Sequence, residues 1–234
     1  MLSIIIPVFN EDATIEGLLH HLKKVAFDAT ALEVIVVDGG SRDNTLLKVN
    51  AFASIKDGFK VITAIAAKGR GKQMHYGSTI ANGETLYFLH ADSYPPNHYD
   101  QLILNAVAQE HPAGCFRMKF KSRHPWLMAV GWLTRFSWKA SRGGDQSQYI
   151  TRALYDEIGG YNTLIPIYED YDLITTLYNR GHYHVIPKWL ITSARRYHEK
   201  GVLRLQWFYL TIYWKKYRGA SMEELYQYYL SKCD

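Results

Sequence analysis

Asp92 stands just beyond the apolar run Thr85 to Leu89, inside the segment His90-Ala91-Asp92-Ser93. A carboxylate at the end of a buried strand suits a hard cation. Mg²⁺ or Mn²⁺ takes one or two such groups and completes its shell with diphosphate oxygens and water. Upstream, Lys68, Arg70 and Lys72 punctuate a Gly-rich stretch. They carry the charge to neutralise the same phosphates, and as plain structure they read as a solvated basic loop. Glu169-Asp170 precedes a helical pattern within an aromatic loop, and Asp145-Gln146 follows a Gly-Gly turn. Carboxylates converging on one cleft supply a general base. The plainer readings are an N-cap for Asp170 and a surface acid for Glu169. Arg195-Arg196 follow the run Trp189 to Ala194 and suit bidentate phosphate contacts. His198 is either one more metal ligand or a surface residue.

Two acids sit after earlier apolar runs. The segment Pro7-Val8-Phe9-Asn10-Glu11 lacks Gly-x-Gly-x-x-Gly, which argues against a dinucleotide site. Glu11 there can accept from ribose hydroxyls, or be a helix-start acid favoured by the dipole. Asp38, followed by Gly39-Gly40-Ser41, can accept from the imide of a uracil or another base edge. Asp-Gly turns are common without any ligand.

The elements that must position these residues alternate. Ser3 to Pro7 and Glu33 to Val37 are β-branched runs of the buried parallel kind. Ile15, Leu18, Leu19 and Leu22 mark a helix with Asp12 as its expected cap; Leu46, Val49, Phe52 and Ala53 mark another, capped by Ser41 or Asp43. Strands at Val61 to Ile65 and Thr85 to Leu89 follow, then a helix through Leu102, Ile103, Ala106 and Val107. This repetition predicts an α/β fold with a doubly wound, mostly parallel sheet flanked by helices. Ligands of such sheets bind beyond the carboxyl ends of the strands. Downstream, Phe116, Met118 and Phe120 alternate with Arg117 and Lys119, predicting a half-exposed antiparallel strand. Pro125 to Arg142 reads as one helix, Ser147 to Ile150 as a strand, and Asp170 to Arg180 as a helix ended by Gly181. Two aromatic helices close the chain, the second opened by a Ser221-x-x-Glu224 capping box.

The chain has 234 residues, 47% hydrophobic and 21% charged, which excludes disorder and fibrous classes. With no linker or repeat, one domain over 1–234 is expected, divided into a 1–113 half and a 114–234 half. A net charge of +5 fits an anionic ligand but does not indicate nucleic acid. Cys115 and Cys233 form no disulfide framework, and no signal-peptide pattern is read at the N-terminus, so a cytoplasmic setting is expected. Val202 to Arg218 reads as a helix packed on the domain, with peripheral contact to an anionic membrane as the less favoured alternative.

Together these segments resemble the family 2 glycosyltransferases of the GT-A fold. Ser-Ile-Ile-Ile-Pro-Val-Phe-Asn-Glu at 3–11 is similar to their first strand and donor loop, and Val-Ile-Val-Val-Asp-Gly-Gly-Ser-Arg-Asp-Asn-Thr at 34–45 to their second strand with its base-binding acid. Phe-Leu-His-Ala-Asp-Ser at 88–93 stands at their Asp-x-Asp position, and Glu-Asp at 169–170 at their catalytic acid pair. Val-Asp-Gly-Gly-Ser, Leu-His-Ala-Asp, Gly-Asp-Gln and Thr-Ser-Ala-Arg-Arg look closer still to the bacterial radical-SAM/selenodomain-associated transferase 2 subgroup.

The resemblance implies an inverting transferase with a nucleotide-diphosphate sugar donor, uridine-based, a divalent cation, and an unidentified hydroxyl acceptor. Residues 1–113 would bind the nucleotide sugar and 114–234 would form the acceptor side. Pro7, Asn10 and Glu11 would border the nucleotide, with Glu11 near ribose, Asp38 on the base and Lys68, Arg70 and Lys72 on phosphate. Asp92 would hold the metal, with His90 and His198 as further candidates. Asp170 would be an exposed, ionised base, Glu169 its neighbour, and Asp145 and Gln146 acceptor-side residues. His90 stands where the broader family has an Asp, and Gly39 where a second Asp is frequent. A sugar-nucleotidyltransferase or a non-catalytic sugar-binding module are the rival readings.

Overall fold

The structure is a computed structural model that describes residues 1–55, 58–143, 146–165 and 167–233. Strand β1 (Leu2–Val8) is buried at every position, as suits a run that is apolar apart from Ser3 in a strand covered on both faces. Helix α1 (Ile15–Val25) buries Ile15, Leu18, Leu19, Leu22 and Val25 against that sheet. Each such side chain contributes about 1.5–3 kcal/mol on leaving water. Thr14, not Asp12, stands at its N-cap position, because Glu11 already accepts the backbone N–H groups of Thr14 and Ile15. Strand β2 (Leu32–Asp38) is again wholly buried, and α2 (Thr45–Ala53) follows. Its cap position is Asn44, while the Asp43 carboxylate accepts from the Thr45 and Asp12 backbone N–H groups.

Strand β3 (Lys60–Ile65) leads to α3 (Arg70–Ile80). The basic segment read as a loop therefore begins a helix. Its buried face consists of Gly71, Gln73, Met74, Gly77 and Ser78, which lets it lie close on the sheet. A Cβ on Gly77 would stand 2.5 Å from Ile5 Cγ2 and 3.1 Å from Val37 Cγ2, so only glycine fits. Strands β4 (Thr85–Phe88) and β5 (Ser93–Tyr94) and helix α4 (Tyr99–Ala108) complete the first half.

The second half contains β6 (Ala113–Phe120), α5 (Pro125–Leu133), β7 (Gln148–Thr151), α6 (Arg152–Glu157) and α7 (Glu169–Asn179). It ends with β8 (His184–Thr192), α8 (Arg195–Lys200), α9 (Val202–Tyr217) and α10 (Met222–Cys233). Among the described residues, eight strands form one sheet in the order β3-β2-β1-β4-β7-β6-β8-β5. The β3, β2, β1 and β4 neighbours are parallel, and β7 is antiparallel to β4 and β6. The expected antiparallel strand is more mixed: β6 meets β7 only at Ala113 and Gly114, and runs parallel to β8 along its length. The single helix expected over 125–142 stops at Leu133. The Thr134 hydroxyl turns back to the Gly131 carbonyl and the Met118 backbone, and a short 3₁₀ turn follows at Lys139–Ser141. The Ser221 and Glu224 capping box forms reciprocally at the start of α10.

At the edge of the sheet away from the polar loops, buried Glu33 ties three segments together. Its carboxylate accepts from Ser3 Oγ, the Asn82 backbone and side-chain amides, and the Gly83 N–H. Burial pushes this carboxyl up, and those donations outweigh burial and hold it below the usual glutamate value of 4.5. A depressed carboxyl stabilises the fold above its unfolded value, and the benefit is lost as pH falls through the folded one. Glu33→Gln is accordingly expected to cost about 1–3 kcal/mol at pH 7. The gap from wild type should narrow below about pH 4.5. Urea midpoints across pH test this, and a gap that stays constant down to pH ~3.5 refutes the charged role.

Candidate functional site

The parallel strands end at one edge, where Val8 pairs with Asp38, Asp38 with Ile65, and Ile5 with Phe88. The loops after β1 and β2 are laced together there. Asn10 donates its N–H to Ser41 Oγ at 2.9 Å, its side-chain oxygen accepts the Arg42 N–H at 2.9 Å, and the Glu11 N–H reaches Thr45 Oγ1 at 2.8 Å. Asn10 adopts φ 54°, a conformation that asparagine tolerates better than most residues. Asp38 is 1% exposed, and its carboxylate accepts the backbone N–H groups of Gly40 and Ser41 together with the Ser41 hydroxyl. Its first task is thus to shape the turn that a base would meet. Pro7 is buried within β1, one residue short of the loop.

Gln73 is a residue that the sequence pattern did not single out. From the buried face of α3 its Nε2 donates to the Val8 carbonyl at 2.8 Å and the Val37 carbonyl at 2.7 Å, pinning both strand tips. A Cβ on Gly39 would lie 3.1 Å from its amide.

The starts of α3 and α7 converge at the same edge. A Cβ on Gly71 would come within 3.0 Å of Glu169 Cβ, so glycine permits the approach. Arg70 Nε donates to Glu169 Oε1 at 3.0 Å, and its Nη2 lies 3.8 Å from Asp170 Oδ2. Arg70, expected on phosphate, is therefore the cation of the acid pair. Tyr161 donates its hydroxyl to Asp170 Oδ1 at 3.4 Å, and its ring packs edge-on against Phe88 at the end of β4. Burial, with the Asp170 charge beside it, pushes the Tyr161 hydroxyl well above its ordinary range, so it stays a neutral donor. Two expectations are corrected. Asp170 is 7% exposed rather than open to solvent, and the N-cap position belongs to Tyr168, at φ 67°. A bulky residue in that region is strained, and strain of this kind clusters at functional sites.

Asp92 is half-buried after β4, and its backbone carbonyl accepts the Ser193 N–H at 3.2 Å, which brings the end of β8 to this edge. Arg195 Nη2 then lies 3.4 Å from the Glu11 carboxylate. Arg196 turns away, donating to the Tyr229 hydroxyl at 2.8 Å. Lys68 holds its ammonium 4.1 Å from the exposed Phe9 ring, and Lys72 is exposed one turn along α3. His90 is half-buried and His198 exposed. Among the described residues, no group of three or more His, Cys, Asp or Glu side chains is gathered for a metal. Asp92, with His90 two positions before it in sequence, suits Mg²⁺ or Mn²⁺ arriving with a diphosphate, whose oxygens would complete the shell. Asp145 lies outside the described residues. Gln146, expected to face an acceptor, is buried, with its side chain bonded to Arg142 and to the Ser141 carbonyl.

Residues 3–162 match the family model for glycosyl transferase family 2. The probable glycosyltransferase YdaM of Bacillus subtilis is 26% identical over 78% of this chain and 47% of its own length. The undecaprenyl-phosphate 4-deoxy-4-formamido-L-arabinose transferase of Pseudomonas aeruginosa is 29% identical over 50% of this chain and 35% of its own. The chain thus spans less than half the length of these curated relatives. The Pyrobaculum calidifontis mannosyltransferase PcManGT, solved with GDP-Man and Mn²⁺, superposes with a TM-score of 0.68 at 20% identity, covering 98% of this chain and 69% of that one. Staphylococcus aureus TarS with UDP-GlcNAc gives 0.64 at 19%, covering 82% and 58%. These likenesses establish the fold, an open, mostly parallel sheet flanked by helices as in GT-A glycosyltransferases.

Proposed function

This chain belongs to glycosyl transferase family 2, and we propose that it moves a sugar from a nucleotide-diphosphate donor to a hydroxyl acceptor with inversion. The observation that carries this reading is the buried Glu169–Asp170 pair, gripped by Arg70 and Tyr161 at the edge where Asp38 ends its strand. A carboxylate oriented on both oxygens and set beside a nucleotide-binding edge is equipped to take a proton from an attacking hydroxyl. Relatives solved with UDP-GlcNAc and with GDP-Man support a nucleotide-sugar donor. Asp38, with its Gly39-Gly40-Ser41 turn, supports uracil as the base. The Gly-Asp-Gln and Thr-Ser-Ala-Arg-Arg segments support the radical-SAM/selenodomain-associated subgroup, and the buried free thiol of Cys115 suits a reducing, cytoplasmic setting.

In this reading the laced loops carrying Asn10, Glu11 and Asp38 hold the nucleoside, with Pro7 setting the first loop's direction. Lys68, Lys72 and Arg195 face the diphosphate. Asp170 takes the acceptor proton as the hydroxyl oxygen bonds to the anomeric carbon and the carbon–phosphate-oxygen bond breaks. Tyr161 and Arg70 fix the direction of its lone pairs, and Glu169 holds Arg70. Asp145 and Gln146 belong to the acceptor side, Gln146 by supporting its loop. Asp92 would hold a divalent cation, with His90 and His198 as further donors. When bound, Mg²⁺ or Mn²⁺ stabilises the charge that develops on the departing diphosphate.

The test is incubation with UDP-sugars and other nucleotide sugars plus Mn²⁺. Release of nucleoside diphosphate is expected, whereas pyrophosphate exchange, or binding without turnover of any donor, overturns the reading. Asp92→Ala provides a second check. Calorimetry with UDP should show Mn²⁺-enhanced affinity in the wild type and none in the variant. Equal enhancement in both would move the metal ligand elsewhere, with His90 and His198 tested next.

A further inference from the structure

Helix α9 is apolar on two opposite faces, and the fold uses only one of them. Leu205, Phe208 and Ile212 are buried against the domain. On the far side Leu203, Trp207, Leu210, Trp214 and Tyr217 recur at spacings of four and three, a single stripe along the helix. All five are exposed, Trp207 by 73% and Trp214 by 55%. Trp126 of α5 donates its indole N–H to Gln206 at 3.2 Å, which sets α5, with its exposed Met128 and Trp132, beside this stripe. An exposed apolar surface of this extent marks an interaction site.

Its charge says what kind of site. Segments 113–143 and 195–218, which carry α5 and α9, hold formal charges of +7 and +6, while the whole chain carries +5. Neither helix contains an acidic residue. The Arg218 guanidinium lies 4.4 Å from the Trp214 ring centre and that of Arg135 5.1 Å from Trp132, so cations border the exposed indoles. Alongside, a cleft of about 300 Å³ between α9 and α10 is lined by Lys200, Arg204 and Lys232 together with Trp207, Phe208 and Tyr228. The charged side chains among the described lining residues are these three cations, which suit phosphate headgroups. Indoles flanked by arginines are the composition of the bilayer interface. Two copies of so basic a face would repel each other, which disfavours self-association through it. Among the described residues no helix is long and apolar enough to cross a membrane, and α9 has 16 residues, so the fitting geometry is a helix lying in the interface.

We propose that the exposed face of α9, with the neighbouring part of α5, docks this protein on an anionic lipid bilayer. Docking bears on the site as well. Tyr213 of α9 packs against Tyr168 and Tyr171, and Lys216 caps both rings at 4.5 and 4.2 Å, fastening α9 to the start of α7. The Glu169–Asp170 pair is thereby held at a fixed height above the lipid headgroups. The inference stands on the surface alone, whatever the donor proves to be.

Co-sedimentation of the full chain with vesicles tests it. Binding to phosphatidylglycerol-containing vesicles is expected, falling steeply with salt, with a blue shift of tryptophan emission, and with little binding to pure phosphatidylcholine. The double variant Trp207→Glu, Trp214→Glu should bind at least about tenfold more weakly. Its thermal transition and its response to UDP should match the wild type, which separates this result from a failure of the nucleotide reading. Should that variant misfold, Trp207→Ser with Arg204→Gln is expected to give a smaller loss in the same direction. Absent binding to anionic vesicles at low salt, equal binding to neutral ones, or undiminished binding by the folded double variant each overturns the proposal. So does full displacement by millimolar inorganic phosphate, which would make the cleft a simple anion site. A wild-type dimer that the variant converts to monomer, with no vesicle binding by either, would assign the face to a second copy instead.

Discussion

Asp170→Asn is expected to leave nucleotide-sugar affinity unchanged while slowing transfer by about 10²–10⁴-fold, the usual contribution of a positioned base. The side chain stands in the first turn of α7, with Tyr161 on one carboxylate oxygen and Arg70 near the other. Asparagine keeps that shape and one acceptor oxygen, so the fold and the donor loops have no reason to move. It loses the negative charge beside Arg70 and with it the ability to take a proton. The effect should therefore appear in kcat at saturating donor, with the affinity for nucleoside diphosphate as the control.

Glu169→Gln separates the two acids. Its carboxylate is bonded to Arg70 Nε, and it lies under Gly71, where the helices cross closely. Its work is to orient Arg70, so a smaller loss of rate is expected, with the pH profile of the wild type retained. Asp145→Asn supplies the comparison for a base drawn from the Gly-Asp-Gln segment. Full activity of Asp170→Asn alongside an inactive Asp145→Asn would reassign the base. Full activity of both, in a demonstrated transfer, would remove a single carboxylate base from the mechanism.

How far the site was legible in the sequence follows from how local each signal is. The β1 and β2 runs and their terminal acids are local: a β-branched stretch ending in a polar turn reports both the strand and its tip. The capping box at Ser221 is local too. Helix α3 escaped because its buried face is Gly71, Gln73, Met74, Gly77 and Ser78, which has no apolar period to detect. That same smallness lets the helix approach the sheet and brings Gln73 onto two strand-end carbonyls. A Cβ at Gly39 would stand 3.1 Å from the Gln73 amide, so glycine there spares Gln73 a shift. The Arg70–Glu169 contact spans 99 positions, and nothing in either segment announces the other. The sequence pattern therefore groups Arg70 with its lysine neighbours, Lys68 and Lys72, as a phosphate contact. Gln146 shows the same limit: the Gly-Asp-Gln segment resembles an acceptor-side motif, and nothing in that segment announces the bond from buried Arg142.

That arginine carries the second large effect. Arg142 is buried, and its five bonds all go to neutral acceptors: Cys115 Sγ at 3.2 Å, Gln146 Oε1 at 3.0 Å, the Thr134 carbonyl at 2.7 Å, the Phe136 carbonyl, and Ser141 Oγ at 2.9 Å. The guanidinium fork thus closes the chain after α5 onto β6, where the expected long helix breaks off. Arg142→Met fills much of the volume but leaves the buried Thr134 carbonyl, Gln146 Oε1 and Cys115 Sγ without this donor, while the half-buried Phe136 carbonyl keeps the Ser141 hydroxyl. Each such group costs about 1–3 kcal/mol, and the costs do not add fully. A net loss of roughly 2–4 kcal/mol is expected, the cost of two or three unsatisfied buried acceptors. For a chain of this size that corresponds to a fall in Tm of roughly 4–16 °C. Arg142→Lys should recover little, because a single ammonium cannot reproduce the fork. Cys115 reports the same event independently. Burial pushes its thiol up while Arg142 draws it down, and it should be inert to disulfide reagents in the wild type. In Arg142→Met it should label faster, because the loop that covers it opens. An unfolding free energy in urea within about 1 kcal/mol of wild type, with unchanged labelling, would mean the loop is held by its backbone and not by this cation.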